Sequence, residues 1–231
     1  MNNKEMIYSD QSLLLMKNVN EKVIQCRQCP RLINYINDIA HNRIKKFCKE
    51  DYWAKPIPSF GDIKAKLLII GPAPAAHGGN RTGRIFTGDS SGQWLAKALF
   101  ETGFANKDNS ISKDDGLELK EAYITDIVRC APPKNKPNLS EIINCSQYFK
   151  SEIKILEKSL KVILTLGKLA FDTFCKVFEI KGIIFRHGAH YLLDSGKTLI
   201  SSYHPSRRNT NTGRLTWQMW VKIFKDIRAS I

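Results

Sequence analysis

The sequence predicts an α/β fold, with a mostly parallel sheet and helices on both of its faces in one domain. Three observations carry that prediction. Short strand-like runs recur at Leu67–Ile70, Glu121–Thr125, Lys161–Leu166 and Thr198–Ser202. Segments of helical period lie between them. A polar or glycine-bearing segment follows each run, at residues 71–92, 125–137, 167–168 and 203–209. In a parallel sheet these four segments meet along one edge, where α/β sheets bind ligands, so a single cleft is expected there.

In order along the chain, residues from about 9 to 50 read as two helices. Leu13, Leu14, Val19 and Val23 line the apolar face of the first; Leu32, Ile36 and Ile39 line the second. The break between them, Cys26-Arg-Gln-Cys29-Pro30, puts Pro30 in a first helical turn, where its missing N–H does no harm. Arg43, Lys45, Lys46 and Lys49 read as a solvated face, and Lys55–Ser59 as an extended entry to the first strand. The loop Gly71–Gly92 holds six of the chain's 14 glycines, and a loop of that length is usually functional. A helix follows from Gly92 to Thr102, then a polar surface excursion at Asp108–Asp115. Ser140 is expected to cap a helix running to about Ser159, and Gly167 to open another ending near Val177. Residues 183–193 look like an antiparallel excursion, and Trp217, Trp220, Phe224 and Ile227 form the buried stripe of a last helix.

Across the 231 residues, 36 Lys+Arg oppose 22 Asp+Glu, for a net charge of +14. That excess favours a polyanionic partner, nucleic acid first and an acidic membrane surface second. No segment has the length to span a bilayer, and the first apolar run is too short for a secretory leader. The chain is therefore expected in a reducing cytoplasm, where its six cysteines are not disulfides. Several familiar sites are excluded. Gly167-Lys168 lacks the spacing of a phosphate-cradling loop, Gly71–Gly79 is no dinucleotide fingerprint, and no His-Glu-x-x-His pair occurs. His187 and His190, on an expected hairpin, read as structural. Cys26 and Cys29 are spaced to chelate one metal centre, with Cys130 and Cys145 the candidates to complete it; Cys48 and Cys175 read as free thiols. Zinc and an iron–sulfur cluster both accept four cysteines.

Three stretches together resemble a known family. They are Gly71–Gly92 with Asn-Arg-Thr-Gly-Arg-x-Phe-Thr-Gly-Asp at 80–89, Arg129–Pro137, and Ser202–Asn209. The family is the family 5 (B-type) uracil-DNA glycosylases, iron–sulfur members of the uracil-DNA glycosylase superfamily. The resemblance implies a three-layer α/β/α sandwich around a short, mostly parallel sheet, and a [4Fe–4S] cluster on Cys26, Cys29, Cys130 and Cys145. The implied reaction is hydrolysis of the N-glycosidic bond of uracil, and of other deaminated bases such as hypoxanthine, in DNA. The enzyme is expected to act as a monomer, initiating base excision repair.

Breaking that bond builds negative charge on the departing base and positive charge on the sugar, so a donor is needed at the base and a polar or negative group near the sugar or water. In the resemblance His204 faces uracil O2 and Phe86 stacks on the base; for Phe86 the alternative is an anchor pinning the loop. Related glycosylases carry an acidic or amide side chain early in the first motif. Here Gly71–Ala75 has none, and the resemblance offers Asp89 and Asn135 in its place. Asp89 also stands where a helix cap would. The resemblance further assigns Gly71, Ala73, His77 and Asp126 to the base pocket, and Arg81, Arg207, Arg208 and Asn209 to DNA. Asp126 departs from the Asn common in related families: it could accept from uracil N3–H or disfavour some bases by charge. Pro72 replaces a more usual Leu, which stiffens the turn. The rivals are a narrower, uracil-only family 4 enzyme and a metal-stabilised DNA-binding protein without catalysis.

Overall fold

A computed structural model describes residues 3–231 of the chain, with side chains from residue 11 onward. In chain order the elements are α1 (Asn3–Gln25), α2 (Pro30–His41), β1 (Phe60–Gly61), β2 (Leu67–Gly71), α3 (Gly79–Thr82), α4 (Ser90–Glu101), β3 (Ala122–Asp126) and α5 (Leu139–Leu156), then β4 (Val162–Leu166), α6 (Lys168–Val177), β5 (Ala189–Leu192), β6 (Thr198–Ser202), α7 (Arg207–Asn211) and α8 (Trp217–Ser230). The six strands form one sheet in the order β1-β3-β2-β4-β6-β5. Its four inner strands run parallel; β1 and β5 lie antiparallel at the edges.

Alternation along the inner strands builds three layers. Leu67 and Ile69 join Ala122, Ile124, Leu164 and Ile200 against α4 and α8, where Leu95, Leu99, Trp220 and Phe224 are buried. Leu68 and Ile70 join Tyr123, Ile163 and Leu199 on the other face, against Leu32, Ile36, Phe149 and Phe171 of α2, α5 and α6. A strand covered on both faces needs apolar residues at every position, which is why β2 and β4 read as continuous hydrophobic runs. The expected α/β/α sandwich is the observed one, and the antiparallel excursion is the β5–β6 hairpin.

Three local expectations shift. The cap of α5 is Asn138, two residues before Ser140, because Glu141 reaches back to the Asn138 N–H at 2.7 Å. Glu141 also grips Arg31 of α2 through two 2.7 Å bonds, joining α2 to α5. The unforeseen β1 is only two residues long, too short to show a period. Its Gly61 (φ +141°) lies so close to β3 that a Cβ would stand 2.5 Å from the Ala122 carbonyl. The excursion at 108–115 is not free: Asp115 holds the buried Arg84 at 2.8 Å, and Arg84 also bonds Thr87 and Ser110, clamping the central loop.

Beneath the sheet runs a polar seam with no local signal in the sequence. Arg129 and Glu152 pair at 2.7 Å with side chains 1% and 0% exposed. Ser59 bonds both, and Thr125 donates to Glu152 at 2.7 Å.

Candidate active site

The chain runs from β2 out to β3 and returns to β4 on the other side of β2. Strand order reverses there, and the cleft opens at the carboxyl ends of those strands, as such topologies dictate. It encloses about 410 Å³ and is lined by Pro72–Ala75, Phe86, Asp89 and Ser91, and by Asp126, Asn135, His204, Ser206 and Arg208. Three of the four expected segments thus meet in it. The fourth backs it: a Cβ on Gly167 would lie 3.4 Å from the His204 Cβ.

His204 follows β6, and its backbone carbonyl accepts from Asn209 Nδ2 at 2.8 Å. Burial of the imidazole lowers its pKa to about 4, so the ring is neutral near pH 7. It stacks on Phe86 with centroids 5.6 Å apart at 29°. Phe86 itself sits at φ +50°, an uncommon conformation for a bulky residue that strains the backbone by about 1–3 kcal/mol and tends to mark functional loops. Gly92 makes that turn possible, since a Cβ there would lie 2.2 Å from the Phe86 carbonyl oxygen.

Asp89 does cap a helix: its Oδ1 accepts from Gly92 N at 2.9 Å at the start of α4. It lines the cleft as well. Burial raises its pKa, opposed by the N–H groups of Gly92 and Ser91 and by the cations Arg207 and Arg81. Asn135 ends a 3-10 turn, Pro133–Asn135, at φ +55° and reaches the cleft from the β3 side. Asp126, the last residue of β3, pairs in register with Gly71 at the end of β2.

The DNA candidates divide. Arg208 lines the cleft mouth and Arg207 donates to Ser90 Oγ at 3.3 Å; both are exposed on α7. Arg81 is committed within the fold. It donates to the carbonyls of His77 and Gly88, pairs with Glu50, and lies 4.0 Å over the Phe47 ring. Asn209 serves His204, as above, rather than facing outward. His77 accepts or donates at Tyr52 Oη at 2.9 Å and lies outside the cleft lining. Ser91 and Ser206 also line the cleft, and their one signal in the sequence is a place close to Asp89 and His204.

Away from the cleft, four thiols share one neighbourhood. Cys26 and Cys29 lie between α1 and α2, Cys130 follows β3, and Cys145 is on α5. Burial raises the pKa of Cys130, and the charges of Cys145, Cys26 and Cys29 raise it further. Burial likewise pushes Cys145 up to about 11, opposed by an Arg129 N–H bond to its sulfur. Asn144 Nδ2 donates to Cys29 Sγ at 3.6 Å. Among the described residues no three His, Cys, Asp or Glu side chains stand together as a single-ion site. Cys48 is exposed and Cys175 is buried in α6.

The family model of the uracil DNA glycosylase superfamily matches residues 58–228. The chain is similar to the type-5 uracil-DNA glycosylase of Thermus thermophilus, 44% identical over 205 residues, 88% of this chain and 92% of that one. It is 41% identical over 208 residues to the type-5 uracil-DNA glycosylase of Pyrobaculum aerophilum, covering 90% of each. Its likeness to the type-4 uracil-DNA glycosylase of Thermotoga maritima is weaker, 26% over 193 residues, 83% of this chain and 82% of that one.

Proposed function

The chain belongs to the uracil-DNA glycosylase superfamily, and from that premise we propose how its cleft works and what else it accepts. It is a DNA N-glycosylase that removes uracil, a repair enzyme whose substrate is DNA. Its range extends to other deaminated bases such as hypoxanthine, because Gly71–Ala75 carries no polar side chain to discriminate among them. One observation carries the mechanism: His204, Asp89 and Phe86 line a single cleft at the carboxyl edge of the sheet.

The neutral His204 donates an N–H to the carbonyl of the extruded base. That bond strengthens as the base leaves with negative charge, so it lowers the barrier more than it tightens binding. The Asp89 carboxylate, steadied by the Gly92 and Ser91 N–H groups, favours the cationic sugar and orients the attacking water. The Asn135 amide is the second contact for that water. Phe86 gives the flipped base an aromatic floor, and Arg207 and Arg208 meet phosphates at the mouth.

Cys26, Cys29, Cys130 and Cys145 would hold a [4Fe–4S] cluster. Three buried thiols and the half-buried Cys26, brought together from three separate segments, suit it, and Asn144 and the Arg129 backbone N–H donate to sulfur as outer partners of ligating thiolates do. Bound there, the cluster supplies a cross-link between the α1–α2 loop, the turn after β3, and α5. The monomer is taken as the working unit and the cytoplasm as its place. No helix among the described residues is long and apolar enough to cross a membrane.

The test is release of free uracil from a uracil-containing duplex, leaving an alkali-labile abasic site. His204→Ala should slow single-turnover cleavage by about a hundred- to a thousandfold while still binding the duplex. Normal cleavage by that variant removes the centre of the mechanism.

A further inference from the structure

Asp126 ends β3 within the cleft lining, and its buried carboxyl group has no hydrogen-bond partner on either oxygen. Buried polar atoms are almost always bonded, and an ionised carboxylate left unbonded is the costliest exception. Gly71 makes the space for it. A Cβ there would lie 2.2 Å from Asp126 Oδ1 and 2.6 Å from the Phe86 ring, so carboxyl and ring crowd the same point. Phe86 in turn stacks on His204. The carboxyl group therefore stands where a base resting on Phe86 would present an edge.

The charged groups facing Asp126 come from every side. Arg129 on the following turn is spent on Glu152 of α5 and on Ser59. Asp89, at the start of α4, adds negative charge, and the neutral His204 adds none. Burial, opposed by Arg129 and reinforced by Asp89 and Glu152, raises the Asp126 pKa to about 8.

Deaminated bases share one edge. Uracil presents N3–H beside its O4 carbonyl; hypoxanthine presents N1–H beside O6. A carboxylate accepts from the N–H but repels the carbonyl, whereas a carboxylic acid offers one acceptor and one donor. We propose that Asp126 reads this edge as a neutral carboxylic acid, its carbonyl accepting from the ring N–H and its O–H donating to the ring carbonyl. Because the match is to the edge, one residue serves rings of either size. This rests on the glycosylase reading and adds a pH limit to it: base recognition fails as Asp126 ionises.

The experiment compares kcat/KM for uracil excision by the wild type and Asp126→Asn from about pH 6.5 to about pH 9.5, since this constant reports groups of the free enzyme. The amide offers the same donor and acceptor at every pH, and ionisation of uracil itself is common to both proteins. Wild-type kcat/KM should fall about tenfold per unit above about pH 8, with no matching fall for Asp126→Asn. Parallel profiles overturn the assignment and leave the glycosylase reading standing. Failure of the wild type to release uracil at any pH overturns both. Infrared spectra of the wild type alone should carry a protonated-carboxyl C=O band that disappears above about pH 8. Its absence at pH 6.5 overturns the proposal, whatever Asp126→Asn does.

Discussion

Asp89 serves two structures, and the choice of substitute separates them. Asp89→Asn keeps an oxygen that can accept from Gly92 N, and Asn caps helices as well as Asp does. What it removes is charge. Two unit charges 4 Å apart at an effective dielectric of 20 interact by about 4 kcal/mol. A longer reach to the sugar leaves about 2–3 kcal/mol, a slowing of about thirty- to a hundred-and-sixtyfold. Stability should hold or rise, because the buried carboxylate no longer has to be kept ionised. Asp89→Ala loses cap and charge together, at about 1 kcal/mol of stability and a melting point about 2–4 °C lower. Single-turnover rates on one uracil-containing duplex, paired with melting curves at neutral pH, resolve the two roles. Cleavage at the wild-type rate by Asp89→Asn would refute the electrostatic role and leave Asp89 as a cap alone.

Arg207→Ala and Arg208→Ala should weaken binding across DNA sequences and lower the salt slope by about one each; unchanged slopes would mean that α7 does not touch the backbone. Protein purified without oxygen should contain about four irons, which Cys145→Ser reduces and Cys48→Ser or Cys175→Ser does not. Stoichiometric zinc in place of iron would end that reading. Glu152→Gln strips the charge partner from a fully buried Arg129, and urea titration should read a loss of about 3–5 kcal/mol. A loss below about 1 kcal/mol would show the seam to be solvated.

Legibility along the chain followed how local each signal is. β2 and β4 were readable because strands buried on both faces are apolar throughout, and Pro30 because its missing N–H belongs in a first helical turn. Asp89 was readable as a cap from the Ser90-Ser91-Gly92 that follows it. The α5 cap was misplaced because Asn138 works through Glu141, a reciprocal pair that a single Ser cannot reveal. The resemblance alone puts Arg81 on DNA, whereas Glu50, Phe47 and two carbonyls engage it within the fold.

The layers, the convergence of loops at one edge, and the residue types available there are legible from the chain before it folds. Period and punctuation are properties of neighbours along the chain, and they survive without a fold. Charge states depend on packing instead. Burial lowers the pKa of His204 to about 4 and raises that of Asp126 to about 8, and that burial comes from elements far apart in sequence. Packing likewise makes the contact between Arg129 and Glu152, 23 residues apart and joined only once the turn after β3 meets α5. A pKa follows from burial and from the charges nearby, and neither exists until the chain has closed around the group.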